Sequence, residues 1–230
     1  MDSEISDILL HAAKTPYSWA AVMLRYIGEY DWRNWTFGGS CVDKALYLRD
    51  RLPHDTDLMV DYENRHMAAR VFNHFVDPTF FQHSVTPIYT SWDGNEIHYP
   101  TMLKGTSVQV KYHRGGISAT IPGYMKPFKP ILIKDDGASD IQYIIESLKD
   151  GIAYRPPSIR FANLDGGETK VSLNKDTWDL HVTERLVGEE GPINSDRLIE
   201  MENLFEFTAD ELLEFFIGVW GRVRRVINTE

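Results

Sequence analysis

Between residues 57 and 134 the chain reads as short alternating strands separated by only a few turn residues, and this pattern narrows the fold more than any other. The strand-like runs are 57–62 (DLMVDY), 66–72 (HMAARVF), 75–80 (FVDPTF), 85–92 (VTPIYTSW), 96–100 (EIHYP), 107–113 (SVQVKYH), 117–122 (ISATIP) and 129–133 (KPILI). Asp93-Gly94-Asn95 and Arg114-Gly115-Gly116 supply hairpin turns between them. Connections this short leave no room for crossover helices, so the strands pair antiparallel, as a curled sheet or small barrel.

Helical patterns flank that region. Ser3 caps a helix whose Ile5, Ile8, Leu9 and Ala12 form one stripe, and Thr15-Pro16 reads as N-cap and first position of a second, with Ala20, Met23 and Ile27 inward. A third helix begins at Cys41. Its apolar positions Cys41, Ala45, Leu48 and Leu52 fall on one stripe, Lys44, Arg49, Asp50 and Arg51 lie outside it, and Pro53 stops it. Beyond a linker at Asp135-Asp136-Gly137-Ala138, Ser139 caps a helix carrying Ile141, Ile144, Ile145 and Leu148 and ending at Gly151. A hairpin follows, 158–164 and 169–174 around Asp165-Gly166-Gly167-Glu168, then a strand over 177–186 and a loop over 188–192. Thr208-Ala209-Asp210-Glu211 is a capping box opening a last helix rich in Leu212, Leu213, Phe215, Phe216 and Trp220. Helices, then a sheet, then a mixed end give the class α+β rather than alternating βαβ. The expected division is a helical part over 1–56, an antiparallel β part over 57–134 and an α/β part over 135–230 that closes over the site as a lid.

Several functions are disfavoured by composition. A net charge of −10 repels phosphate backbones, so nucleic acid is not an expected partner, and Arg222, Arg224 and Arg225 read as the solvated end of the last helix. No apolar run reaches about 18 residues, which gives no membrane span, and the acidic start MDSEISD does not read as a signal peptide. A cytoplasmic location is expected. The single cysteine rules out an internal disulfide framework, and at 230 residues the chain is long enough to bury a core without one. Neither a metal-ligand spacing such as His-x-x-x-His nor a phosphate-binding glycine loop is present, so no metal and no tightly bound cofactor are expected.

That one cysteine is placed for chemistry. Cys41 follows Gly38, Gly39 and Ser40 and opens the third helix, where unpaired N–H groups and the helix dipole favour a thiolate. His66 and Asp77 come from the next strand-like runs. A two-residue loop at Phe72-Asn73 sets Ala68 opposite Asp77 and brings His66 and Asp77 into diagonal reach, whereas a loop at Asn73-His74 leaves them too far apart. His74 and His83 are the competing imidazoles. Thiol, imidazole and carboxylate are the inventory of a nucleophile, a base and an orienting group. Trp35, with Gly39 and Ser40, is a weaker candidate for oxyanion or substrate contact, and Trp32 shares that loop.

With these residues in place, Gly-x-Cys opening a helix, His at the head of a strand and Asp-Pro-Thr closing the next resemble the transglutaminase-like cysteine enzymes, with their papain-like Cys-His-Asp triad. Gly38-Gly39-Ser40-Cys41 resembles the arylamine N-acetyltransferase branch in particular. Phe37 stands where that branch carries Arg, and the spacing from His66 to Asp77 is shorter than in those enzymes. The resemblance covers about residues 35–80. It implies Cys41 as nucleophile, His66 as base and Asp77 as orienter, in an acyltransferase that forms an amide from an acyl thioester, such as acyl-CoA or an acyl-carrier protein, and a small-molecule amine. A cysteine amidase or peptidase acting on an amide or isopeptide bond is the alternative, and a catalytically silent binding module of the same fold is the third. The identity of either substrate and the oligomeric state are not legible.

Overall fold

A computed structural model of the protein describes residues 3–31, 36–52, 56–61, 66–71, 74–81, 86–87, 96–113, 116–120, 131–134, 148–186, 189–191 and 196–228. Among them are helices α1 (Ser3–Lys14), α2 (Trp19–Tyr26), α3 (Cys41–Arg51), α4 (Lys149–Tyr154), α5 (Asp196–Leu204) and α6 (Ala209–Ile227). The strands form two antiparallel sheets. The larger contains β2 (Thr56–Asp61), β3 (Met67–Val71), β4 (His74–Val76), β5 (Thr86–Pro87), β6 (Glu96–Pro100), β7 (Ser107–His113), β8 (Gly116–Thr120) and β9 (Ile131–Lys134), in the order β5-β4-β3-β2-β9-β8-β7-β6. The smaller joins β1 (Tyr17–Ser18) to β10 (Ser158–Ala162), β11 (Glu168–Leu173), β12 (Leu180–Leu186) and β13 (Glu189–Gly191). The molecule is a mixed α+β protein.

Helix α3 is the centre of the packing. Cys41, Val42, Asp43, Lys44, Ala45, Leu46 and Leu48 are all buried, so the helix is enclosed nearly all round rather than along a single stripe. On one side Cys41, Val42, Ala45 and Leu46 join a core with Val60 and Met67, with Phe161, Val171 and Val182 of the smaller sheet, and with Phe216 and Trp220 of α6. On the other, Leu48 packs with Leu9 and Ala12 of α1 and with Ala69, Val71 and Val76.

Local signals were overridden where long-range pairing competed with them. Helix α2 starts at Trp19, not at Pro16: Ser18 is its N-cap, its side chain accepting from the Ala21 N–H at 3.1 Å. Thr15 instead closes α1, its hydroxyl donating to the His11 carbonyl at 2.9 Å. Tyr17 and Ser18 are drawn into β1 by pairing with Arg160 and Ile159. Run 75–80 is a strand only to Val76. Asp77 then caps a 3-10 turn, Pro78–Phe80, because Pro78 has no N–H to give a ladder and the Asp77 carboxylate accepts from the Thr79 N–H at 3.0 Å. Gly151 lies inside α4 instead of ending a helix; a Cβ there would stand 3.1 Å from the Trp19 ring, so the bare backbone admits the indole. The expected loop at 188–192 contains β13, which extends the smaller sheet by pairing with β12. The linker at 135–138 and the helix from Ser139 to residue 147 lie outside the described residues.

Candidate active site

The β3–β4 register is the one that brings His66 and Asp77 together. Val71 pairs with His74 and Ala69 with Val76, which is the register of a two-residue connection at 72–73. His66 immediately precedes β3, Asp77 immediately follows β4, and both side chains turn inward to near-complete burial. The His66 Nε2 stands 2.5 Å from the Asp77 Oδ2, while the other Asp77 oxygen, Oδ1, is held by the Thr79 N–H. The carboxylate is thereby fixed at both oxygens.

Cys41 is the first residue of α3 and buried. The Cys41 and His66 side chains lie close enough to act on each other electrostatically. Burial works against a charge on His66, yet the Asp77 carboxylate bonded to it and the neighbouring Cys41 outweigh this and raise its pKa well above 6.5. His74 lies on β4 opposite Val71, and His83 lies outside the described residues.

The approach to Cys41 is fixed by backbone contacts. Gly38 has φ +83°, and a Cβ on it would stand 2.4 Å from the Pro16 carbonyl oxygen, so only glycine fits there. The Gly39 N–H donates to that Pro16 oxygen at 3.0 Å, and the Ser18 N–H donates to the Gly39 carbonyl at 3.0 Å. Ser40 caps α3 in a reciprocal box with Asp43: its N–H and hydroxyl both donate to Asp43 Oδ2, at 2.7 and 2.6 Å, and its oxygen accepts from the Asp43 N–H. The N–H donors of Gly39 and Ser40, weighed above as oxyanion contacts, are thus bonded within the protein, and what the pair contributes is the placing of Cys41. Trp35 and Trp32 lie outside the described residues.

The charged groups packed beneath Cys41 leave little mark in the sequence. Asp43 is wholly buried, pairs with Arg25 of α2, and has its pKa raised by burial despite Arg25 and Ser40. Lys44 is also wholly buried. Its Nζ donates to the Thr15 carbonyl at 2.7 Å and the Pro78 carbonyl at 3.4 Å. Burial lowers its pKa to about 7, with Asp77 and Cys41 acting in the opposite sense. The Tyr17 hydroxyl is pushed up by burial and by the neighbouring Cys41. Phe37, at the position where the resembled branch carries Arg, stacks on Phe215 of α6 at 4.3 Å and leans on Phe207 at 5.0 Å. The only hint of these in the sequence is the serine three residues before Asp43, a capping-box spacing.

An α+β protein with a buried Cys-His-Asp cluster at a helix start is the class that fold and geometry define. Its fold is similar to that of a solved structure, M. smegmatis arylamine N-acetyl transferase, with TM-score 0.57 over 95% of this chain and 91% of that one, at 11% sequence identity. No protein-family model matches the chain, and no curated protein sequence matches it. Among the described residues there is no group of three or more His, Cys, Asp or Glu that could hold a metal ion, and no helix long and apolar enough to cross a membrane.

Proposed function

We propose that the protein is a thiol-dependent acyltransferase that forms an amide through an acyl-enzyme on Cys41. The observation that carries it is the cluster itself: a thiol at the first position of a helix, beside an imidazole whose Nε2 meets a carboxylate at 2.5 Å. The similarity of fold to an N-acetyl transferase adds to it. In the first half-reaction the Cys41 sulfur attacks the carbonyl carbon of an acyl thioester, the C–S bond to the donor breaks, and the departing thiolate takes its proton from His66. In the second, an amine attacks the Cys41 acyl group, His66 removes the amine's proton, and the Cys41 sulfur leaves with an amide as product. Asp77 holds the imidazole orientation and stabilises its charged form through both steps.

The donor is an acyl-CoA or an acyl group on a carrier protein, and the acceptor is a small amine. Cover for the cleft comes from residues 135–230, with 1–56 supplying the nucleophile helix and 57–134 the base and orienter. Supporting this, β10 pairs with β1, the strand whose Ser18 bonds Gly39, and Phe215 of α6 stacks on Phe37.

Intact-mass spectrometry after incubation with a panel of acyl thioesters, with and without amines, tests the proposal. The expected result is an adduct of acyl mass, absent in Cys41→Ala and discharged by amine much faster than by water. Discharge at the same rate without amine identifies a hydrolase, and no adduct from any donor identifies a silent binding module.

A further inference from the structure

Lys44 is the charged group for which the acyl-transfer chemistry has assigned no role. It lies three residues after Cys41, on the same helix, with none of its surface exposed. Its two carbonyl bonds join separate pieces of the site: Thr15 O belongs to the α1–β1 turn, and Pro78 O belongs to the residue that directly follows Asp77. Among the described residues, the titratable groups coupled electrostatically to it are Cys41 on its own helix, Asp77 ahead of the 3-10 turn, and His11 on α1, with His66 one step further through Asp77.

Charge balance gives this lysine a role. A Cys41 thiolate, a His66 imidazolium and an Asp77 carboxylate together carry one net negative charge, in a space where these residues are 4%, 8% and 0% exposed. An uncompensated buried charge is expensive, and the inexpensive remedy is to protonate the thiolate. With Lys44 protonated the cluster holds two positive and two negative groups and is neutral. Resting on the acyl-transfer function above, we propose that Lys44 is a positioning residue whose ammonium balances Asp77, so that Cys41 is held as thiolate beside the His66 imidazolium. Through the Pro78 carbonyl it also fixes the turn that aims Asp77 at His66.

Iodoacetamide alkylation of Cys41, followed by intact mass from pH 5 to 9, separates this role from a packing role. The unsubstituted protein reacts readily at pH 6. Lys44→Met, of similar length and uncharged, and Lys44→Gln, which keeps amide donors without the charge, both react about tenfold more slowly at pH 6, equivalent to roughly one pH unit, and converge on the unsubstituted rate by pH 9. A pure packing defect changes the rate at every pH or at none. A folded variant whose pH profile superimposes on that of the unsubstituted protein overturns the proposal. Failure of the unsubstituted protein to react at pH 6 overturns the acyl-transfer reading first, whatever the variants do. Where neither variant folds, the unsubstituted protein decides: nitrogen NMR of the Lys44 Nζ follows its titration before and after methylthiolation of Cys41. Removing the thiolate moves that titration to lower pH, and an unchanged midpoint overturns the proposal.

Discussion

At the scale of single residues, the His66–Asp77 pair makes the sharpest demands. Asp77→Asn keeps the shape of the carboxyl group but no longer stabilises an imidazolium, so turnover in the acyl-transfer assay falls roughly 10³–10⁴-fold, and His66→Ala is at least as severe. The same pair has a pH signature in stability. Because the folded pKa of His66 is raised above 6.5, its contribution is fully present below pH 6.5 and is lost as pH rises through the folded value. Urea midpoints measured across that range fall for the unsubstituted protein relative to Asp77→Asn; parallel curves exclude the coupling. The meeting of His66 with Asp77 was legible in the sequence because it follows from the register of one short hairpin, and the place of Cys41 because a helix start is a local signal. Lys44 was not. A lysine outside an apolar stripe reads as solvated, and only the closing of α1 and the Asp77 turn over α3 buries it.

At the scale of elements, the start of α3 is the feature most exposed to test. Ser40→Ala removes a capping bond and leaves buried Asp43 Oδ2 without the Ser40 hydroxyl, costing about 1–3 kcal/mol in equilibrium unfolding. A loss below about 0.5 kcal/mol would mean that the box contributes little. Elements governed by near neighbours were readable: the α3 span, the hairpin of β10 and β11, and the capping box of α6 fall at or within a residue or two of their expected places. Elements governed by distant partners were not. Thr15-Pro16 carries a good helix-start signal, yet Tyr17 and Ser18 gain strand partners in Arg160 and Ile159 that no local window contains. Glu189–Gly191 has a loop composition and becomes a strand because the edge of β12 is there to receive it.

For the whole molecule, the surroundings of Cys41 and the C-terminal helix are one body of packing. Phe216 is fully buried in the core cluster that contains Cys41, and Phe216→Ala is expected to cost about 3–5 kcal/mol while leaving a single unfolding transition seen alike by circular dichroism and by thiol exposure. Two separate transitions would show instead that α6 folds apart from the site. The strand order of the sheets was the least legible property of all, since β2 pairs with β9 and β1 with β10, partners far apart in the sequence. That last pairing bears on how the protein is made. Translation delivers Cys41, His66 and Asp77 well before β10, β11, β12 and α6, the elements that supply Phe161, Val171, Val182, Phe216 and Trp220 to the core around the thiol. The nascent chain therefore carries its one thiol alongside half a core, and the interval before the later strands emerge is when oxidation, or association with another unfinished copy, competes with folding.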